Sequence, residues 1–214
     1  MSPEQRRPPG REDRHRRIVE AAERLFAERG YEATKVTDIC DSAGVAYGTF
    51  FNYFPAKRDV LRALTERARV ELSEKLELLA KKALPLDAQL RRLFRGEPRR
   101  LDPRRRELVG QIWAIAATET REAGDRFHDA IAALLREGVA RGQVRDDVPV
   151  DVLAELVGST FSSMRLNWAR ADDYPVEQRA QQLARLVYET LAPRAAPTPA
   201  RAGRKRRKPI QGAP

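Results

Sequence analysis

The sequence predicts an all-α protein, and two observations carry that prediction. Apolar residues recur at intervals of three and four along nearly the whole chain, whereas the strict alternation typical of half-buried strands is almost absent. Of the 214 residues 42% are hydrophobic, which is enough for a packed core. Since no apolar run approaches the roughly 18 residues that a membrane-spanning helix needs, we expect no contact with a membrane.

The first two helices are expected to end at glycines, and the second is short. The first is expected to stop at Gly30, because glycine is favoured just past a helix end. The second starts after Thr34, has Asp38 in its first turn, and runs into a tight turn at Ala43-Gly44-Val45. Their expected core positions are Ile18, Ala22, Leu25, Phe26, Val36, Ile39 and Ala43.

The third and fourth helices differ in length and composition. The third lies within VAYGTFFNYF (45–54), where aromatic residues fill four of five consecutive positions in a chain that is only 7% aromatic. Such density predicts core packing on at least one face. The fourth begins near Lys57 and ends before Pro85, since proline cannot continue a helix. Its apolar stripe is Leu61, Leu64, Ala68, Leu72, Leu76 and Leu79.

The C-terminal half predicts four more helices after a weaker stretch. RRLFRGEPRRLDPRRR (91–106) indicates a partly exposed connection, and Asp102-Pro103 within it predicts a helix start, with a capping carboxylate before a first-turn proline. The next helix ends at Gly142, and the last two span about 150–170 and 175–191. Apolar positions of the first two are Leu108, Ile112, Trp113, Ala116, Phe127, Ile131, Leu134, Leu135 and Val139.

The net charge of +10 is concentrated at the chain ends. Residues 1–17 carry six arginines against three acids, and residues 192–214 carry seven basic residues and no acid, which leaves residues 18–191 electrically balanced. Both ends have few apolar residues, so we expect a disordered basic arm (1–11) and a disordered basic tail (193–214). Such tails suit a polyanion such as nucleic acid, although they can also serve solubility alone.

Several classes of site have no support in the composition. Cys40 is the only cysteine, so no intrachain disulfide can form; it is either a small core residue or a redox sensor. His15 and His128 lack ligand partners at helical spacing, so no metal and no cofactor are expected. No nucleophile with a base or phosphate-binding glycine loop stands out, which argues against an enzyme. The charged N-terminus lacks a secretory signal and predicts a cytoplasmic protein.

Two short helices joined by the tight Ala43-Gly44-Val45 turn are typical of a helix-turn-helix. In this interpretation Val45 and Phe50 pack inward, and Phe54 seats the third helix against the first. The run GYEATKVTDICDSAGVAYGTFFNYFPAKRDVL (30–61) resembles the DNA-binding region of the TetR family of transcriptional regulators. The resemblance is strong in this region and extends to the remainder only in helix count.

The resemblance implies a set of DNA contacts. Tyr53 and Lys57 would contact phosphates, and Tyr47 and Thr49 would read base edges, although Tyr47 could also be an ordinary exposed aromatic residue. The full predicted contact set is Lys35, Thr37, Ala46, Tyr47, Thr49, Asn52, Tyr53 and Lys57.

Three positions depart from the family pattern. Lys35 stands where the family usually has a capping Thr or Ser, so we expect Thr34 to cap the second helix and Lys35 to reach a phosphate. Ala46 replaces a common Ser, which removes a hydroxyl. Phe51 replaces the usual Tyr, so one phosphate contact expected for the family is missing.

The resemblance also implies how the whole chain is organised. A DNA-binding domain (12–72, with the helix-turn-helix motif at about 35–54) would be joined by the long fourth helix to an effector-binding and dimerisation domain (73–192). Large apolar residues on the helices that wall the family's effector cavity are Trp113, Phe127, Phe161, Met164 and Trp168. Four polar neighbours could orient a ligand: Thr118, Glu119, His128 and Asn167.

The helix at 150–170 has a stripe of large apolar residues beside a stripe of small ones. A helix with two buriable faces needs two neighbours, so a homodimer is expected, with burial inside a monomer as the alternative. The predicted interface residues are Ala154, Gly158, Ser162, Leu183 and Val187.

The expected function is therefore a DNA-binding regulator, a repressor that leaves an inverted-repeat operator when a small apolar effector fills the C-terminal cavity. Coupling between the two sites would run through the fourth helix. The alternative is an architectural DNA-binding protein that has no effector and relies on its basic tails.

Overall fold

The computed structural model describes residues 10–82, 84–96, 102–118 and 126–194, with side chains of the third range described to 116. Every regular element within these ranges is a helix, which confirms the predicted all-α fold. The helices are α1 (Arg11–Arg29), α2 (Val36–Ala43), α3 (Tyr47–Phe51), α4 (Lys57–Lys81), α5 (Leu86–Arg95), α6 (Arg106–Thr118), α7 (Arg126–Ala140), α8 (Val150–Arg170) and α9 (Val176–Leu191).

Two hydrophobic clusters organise the chain. The N-terminal cluster joins α1, α2, α3 and the first turns of α4 around Phe26, Ile39 and Phe50. The C-terminal cluster joins the end of α4 with α5, α7, α8 and α9 around Leu90, Leu135 and Phe161. Helix α4 therefore contributes to both, as its unusual length predicts.

Helix α6 also belongs to both clusters. Leu108, near its start, is buried in the N-terminal cluster, and Ile112 and Ile115 pack against the same cluster. Trp113 packs instead against the C-terminal cluster. A close approach at Gly110, where a Cβ atom would lie 3.0 Å from the Cβ of Ala169, brings α6 directly against α8.

The predicted helix ends are confirmed where glycine sets them. Gly30 and Gly44 follow α1 and α2 with φ of 84° and 63°, a region that residues with side chains rarely adopt. The expected cap of α2 is wrong, because the Thr34 hydroxyl donates to the Gly30 carbonyl at 2.8 Å and closes α1 instead. Lys35 occupies the cap position of α2, and its N–H donates to the Asp38 carboxylate at 2.9 Å.

The stretch 91–106 differs from the prediction of a loose connection. Its first part belongs to α5, which buries Leu86, Leu90, Leu93 and Phe94 while Arg91 and Arg92 face outward. Asp102 does accept a hydrogen bond from the Arg104 N–H at 3.0 Å, as a cap should, but the turn it opens is a 3₁₀ turn, Pro103–Arg105, and α6 begins only at Arg106.

The basic ends are largely outside the described residues, since the structure describes the chain from residue 10 to residue 194. Their predicted disorder stays a prediction. Among the helices of the described ranges, none combines the length and the apolar character needed to cross a membrane.

Candidate nucleic-acid interface and ligand cavity

The turn between α2 and α3 is fastened to α1. The Arg17 guanidinium donates to the carbonyl oxygens of Ala43 and Gly44, which are acceptors left open at the end of α2. A Cβ atom at Gly44 would collide with the same guanidinium, 2.5 Å away. Gly44 is thus favoured by its left-handed backbone, and any larger residue there would also displace the end of Arg17.

Helix α3 divides its aromatic residues between two environments. Phe50 is fully buried and Phe54, just past the helix, is 4% exposed, so these two rings seat α3 on the N-terminal cluster. Tyr47 and Phe51 are 56% and 40% exposed and meet edge to face at 5.0 Å. The aromatic density of this stretch therefore serves a core on one side and an open surface on the other.

Most of the predicted DNA contacts are exposed. Lys35, Thr37, Ala46, Tyr47 and Asn52 are exposed, whereas Thr49 and Tyr53 are half-buried. Gly48, which is also exposed, has open space on the side where a Cβ atom would lie. The Tyr53 ring lies 6.3 Å from that of His15 on α1, so its placement depends on α1 as well as on α3.

Lys57 has a different environment from the phosphate contact that the resemblance implies. Its ammonium donates to the carbonyls of Tyr31 at 2.7 Å and Thr34 at 2.9 Å, and it lies 4.2 Å from the centre of the Tyr31 ring. The half-buried side chain therefore closes the loop between α1 and α2. Its charge is already committed to carbonyl oxygens and an aromatic face.

A cavity of about 520 Å³ lies between α4, α5, α6 and α8. This volume is in the range of small-molecule sites. Of the residues predicted for the effector pocket, Trp113 and Phe161 line this cavity, together with Leu64, Leu72, Leu76, Leu93, Leu108 and Ile112. Phe127 shares with Trp113 a smaller cavity of about 80 Å³ that adjoins the first.

The other predicted cavity residues lie elsewhere. Met164 is buried in the C-terminal cluster. Trp168 packs under the guanidinium of Arg106, 4.9 Å from the ring, and Arg106 also donates to the Trp168 carbonyl at 2.7 Å. His128 and Asn167 are absent from the described lining of both cavities, while Glu119 and the Thr118 side chain lie outside the described residues.

The cavity wall is rich in positive charge, which the sequence analysis missed. Its cationic side chains are Arg67, Lys75, Lys82, Arg92, Arg105 and Arg165, against the carboxylates of Glu23 and Glu71 in the described lining. Arg165 is only 4% exposed, and its guanidinium lies 5.0 Å from the centre of the Phe161 ring. The one available signal was on α4, where Arg67, Glu71 and Lys75 recur every four residues beside the apolar stripe.

Glu23 links the N-terminal cluster to this wall. Its carboxylate, on α1, accepts hydrogen bonds from Arg67 on α4 and from Arg105 in the turn before α6. Burial alone would raise the pKa of Glu23, but the two arginines hold it below its usual range. A second link is the Glu107 carboxylate, which accepts the Tyr31 N–H at 3.0 Å.

The predicted interface residues are mostly turned inward. Ala154 and Val187 are buried within the chain, so their side chains are not available to a partner subunit. A Cβ atom at Gly158 would lie 3.5 Å from Ile131, so this position faces α7, and Ser162 lines the smaller cavity. Leu183 is partly buried against the C-terminal cluster. Apolar residues exposed on α8 and α9 are Val152, Leu156, Leu186 and Tyr188.

Cys40 has the environment of a core residue. It is 3% exposed within the N-terminal cluster, and burial, with a smaller effect of Asp41, raises the pKa of its thiol. A raised pKa disfavours the thiolate that redox sensing requires. In the described parts of the chain, no three His, Cys, Asp or Glu side chains group as metal ligands.

Comparison with known proteins agrees with this architecture. Residues 18–64 match the family model described as bacterial regulatory proteins, tetR family. The chain is 31% identical over 144 residues to the HTH-type transcriptional repressor AcnR of Corynebacterium diphtheriae, covering 65% of this chain and 73% of that repressor. It is 25% identical over 191 residues to the repressor KstR2 of Rhodococcus jostii, covering 86% and 93%.

Among solved structures, FadR of Thermus thermophilus, a TetR-family repressor crystallised with lauroyl-CoA, superposes with a TM-score of 0.67 at 27% identity. The match covers 87% of this chain and 99% of that one. With the helix-turn-helix, the matching family model and relatives that are repressors, the chain belongs to the TetR family of DNA-binding transcriptional regulators.

Proposed function

We propose that this protein is a homodimeric repressor that leaves its operator when an effector fills the cavity of about 520 Å³. The observation that carries the proposal is the position of this cavity. Its wall includes residues of α4 and α6, which also belong to the N-terminal cluster, and Glu23 of α1. A ligand there contacts the elements that position the helix-turn-helix, and the function needs binding alone, with no chemical step.

The operator would be contacted by the exposed surface around α3. The short helix presents Tyr47, Gly48 and Asn52 outward, while Phe50 and Phe54 fix it to the core. A helix held in this way can enter the major groove, where side chains read base edges. Two such surfaces about 34–36 Å apart in a dimer would read an inverted repeat.

The dimer would form through the outer faces of α8 and α9. Val152 and Leu186 are more than half exposed, and Leu156 is 39% exposed on the same side of α8 as Val152, one turn further along. Large apolar side chains grouped on a surface mark an interaction site. The proposed interface is therefore on the sides of α8 and α9 away from those that bury Ala154 and Val187.

The effector class that fits the cavity is a long-chain acyl thioester. An apolar floor suits an acyl chain, and the six cationic side chains of the described wall suit phosphates. The similarity to Thermus thermophilus FadR, whose structure holds lauroyl-CoA, supports the same class.

Binding titrations would test this function. An operator is first selected from random duplexes with the purified full chain, and its affinity is measured with lauroyl-CoA, with coenzyme A alone and without ligand. We expect lauroyl-CoA to weaken operator binding by roughly 5- to 150-fold, the usual range of coupling between two sites, and coenzyme A to have little effect. By reciprocity, the operator must weaken lauroyl-CoA binding by the same factor.

Two results would count against the proposal. Failure of every acyl-CoA to change operator affinity, despite binding to the protein, would remove the effector-release function. Selection that enriches no sequence, with equal affinity for all duplexes, would favour the architectural DNA-binding protein instead.

A further inference from the structure

Glu23 is the only residue of α1 in the described wall of the cavity. Its carboxylate is shared between Arg67 and Arg105, two side chains that line the same cavity. One of the groups that tie α1 to the remainder of the chain is therefore itself part of the ligand site.

Before any anion enters the cavity, both arginines are already paired with the carboxylate of Glu23. Glu23 and both arginines are about one third exposed or less, so the ions are only partly solvated. A partly buried guanidinium needs an anion beside it, and each of these can hold either Glu23 or a ligand oxygen in good geometry. The two anions would also repel each other at this short range.

We propose that the effector is an anionic amphiphile whose head group takes Arg67 and Arg105 from Glu23, and that this exchange releases α1 and lowers operator affinity. This inference rests on the proposed function and names the chemistry of its control. The apolar part of the ligand would lie along α4 toward Leu72, Leu76 and Leu79, which line the cavity one to three turns beyond Arg67.

The exchange acts at a point where α1 has few other polar ties to α6 and to the turn before it. Besides Glu23, the described polar link is the Tyr31 N–H to Glu107, and the apolar links are Leu108, Ile112 and Ile115, which lie in or against the N-terminal cluster. Loss of the Glu23 ion pairs separates α1 from Arg67 and Arg105, while the N-terminal cluster still holds α1, α2 and α3 on the first turns of α4. That cluster can then shift as a unit relative to α6 without breaking the helix-turn-helix.

Three ligands and four variants test the inference. Laurate and lauroyl-CoA carry the anion as a carboxylate or as phosphates, and dodecanol has the same chain length without charge. Affinities are measured by tryptophan fluorescence, since Trp113 lines the cavity. The variants are Glu23→Gln, Arg67→Gln, Arg105→Gln and a matched control, Arg62→Gln, which removes an arginine of the same helix α4 that is absent from the cavity lining.

Glu23→Gln should bind the anionic ligand about fivefold or more tightly, because the arginines no longer have to leave a carboxylate. Arg67→Gln and Arg105→Gln should bind it about tenfold more weakly, and Arg62→Gln should match the wild type. The affinity for dodecanol should be the same in all four variants as in the wild type. In Glu23→Gln, the ligand should also lose most of its effect on operator affinity.

The two anionic ligands separate the two possible head groups. A loss of operator affinity with laurate alone indicates that a carboxylate binds the arginines, and a loss with lauroyl-CoA alone indicates that the phosphates do. Equal binding of dodecanol, or unchanged ligand affinity and operator response in Glu23→Gln, would overturn the exchange while leaving an effector-released repressor intact. If no ligand changes the wild-type operator affinity, the proposed function itself fails. If Glu23→Gln unfolds at too low a temperature to be measured, Arg105→Gln can replace it in the test, because Glu23 still pairs with Arg67 in that variant.

Discussion

Gly48 is an exposed position of α3 at which an added methyl group would test how closely DNA approaches the backbone. It lies in α3 with φ outside the left-handed region, and no atom lies within 4 Å of the position that its Cβ would take. Gly48→Ala should therefore leave the fold intact or raise its stability by up to about 1 kcal/mol. If DNA approaches this point closely, the same methyl group should weaken operator binding.

Gly158→Ala is the matched control for this prediction. Its Cβ would make ordinary contacts, 3.5 Å from Ile131 and 3.8 Å from Phe127, far from α3. Thermal melting and operator titration of both variants give the answer: an unchanged operator affinity in Gly48→Ala would show that DNA does not approach the backbone there.

Lys57 is expected to act through the fold and not through DNA. Lys57→Met removes the donor for the Tyr31 and Thr34 carbonyls and should lower the free energy of unfolding by about 1–3 kcal/mol. Arg58→Met, which removes an exposed neighbouring cation, should have little effect on stability. Urea unfolding of the two variants measures the difference.

The salt dependence of DNA binding separates the two roles of Lys57. A phosphate contact contributes about 0.9 to the slope of log K against log salt. If Lys57→Met flattens the slope of log K against log salt and leaves the free energy of unfolding unchanged, Lys57 contacts a phosphate, as the family resemblance implies.

At the residue scale, the sequence predicted features that depend on backbone conformation alone. It did not predict features that depend on a contact with a distant part of the chain. Gly30 and Gly44 were predictable as helix ends, because the left-handed conformation needs no knowledge of the remaining chain. Thr34 and Lys57 were not, because their partners are carbonyls that only the folded loop brings together. The cationic side chains of the cavity wall could not be predicted for the same reason, because they come from separate helices that only the fold brings together.

At the scale of elements, α8 and α9 each use two faces. The inner faces bury Ala154 and Val187, so the outer faces carry the proposed dimer contact. Leu186→Glu, on α9, should disrupt the dimer, because a charge placed in an apolar interface loses its hydration. Gln181→Glu is the control, since it adds the same charge to α9 at an exposed polar position on a different side of the helix from Leu186.

Sedimentation equilibrium would measure both variants together with operator affinity. We expect Leu186→Glu to dissociate over a concentration range in which the wild type stays dimeric, and to bind the operator more weakly. A stable dimer in Leu186→Glu would place the interface on another surface of the chain.

The apolar stripes of α4, α8 and α9 predicted these helices, with ends within a residue or two of Lys57, Arg170 and Leu191. Helix α5 was missed, although its buried residues Leu86, Leu90, Leu93 and Phe94 also recur at helical spacing. The arginines and prolines from residue 91 onward indicated an exposed connection instead. Packing against a neighbour decides such short segments.

At the scale of the whole molecule, the charge of the chain is a property of its ends. The seven basic residues beyond Ala192 are unopposed by any acid. Each that settles on a phosphate should steepen the slope of log K against log salt by about 0.9, so a chain that ends at Ala192 should show a flatter slope. Affinity for the operator and for random DNA should fall by similar factors, because phosphate contacts carry no sequence information.

Measurement of both affinities across a salt series, for the full and the shortened chain, checks this prediction. Identical slopes would leave the tail a role in solubility only. A loss confined to the operator would show that the tail reads sequence.

Helix α6 places Leu108 in one hydrophobic cluster and Trp113 against the other. Neither cluster can lose its order without exposing apolar surface of a helix on which the other depends. Differential scanning calorimetry should therefore record a single endotherm, with equal van't Hoff and calorimetric enthalpies per cooperative unit. Acyl-CoA should move this endotherm as a whole to higher temperature, whereas two resolved peaks would mean that the clusters melt independently.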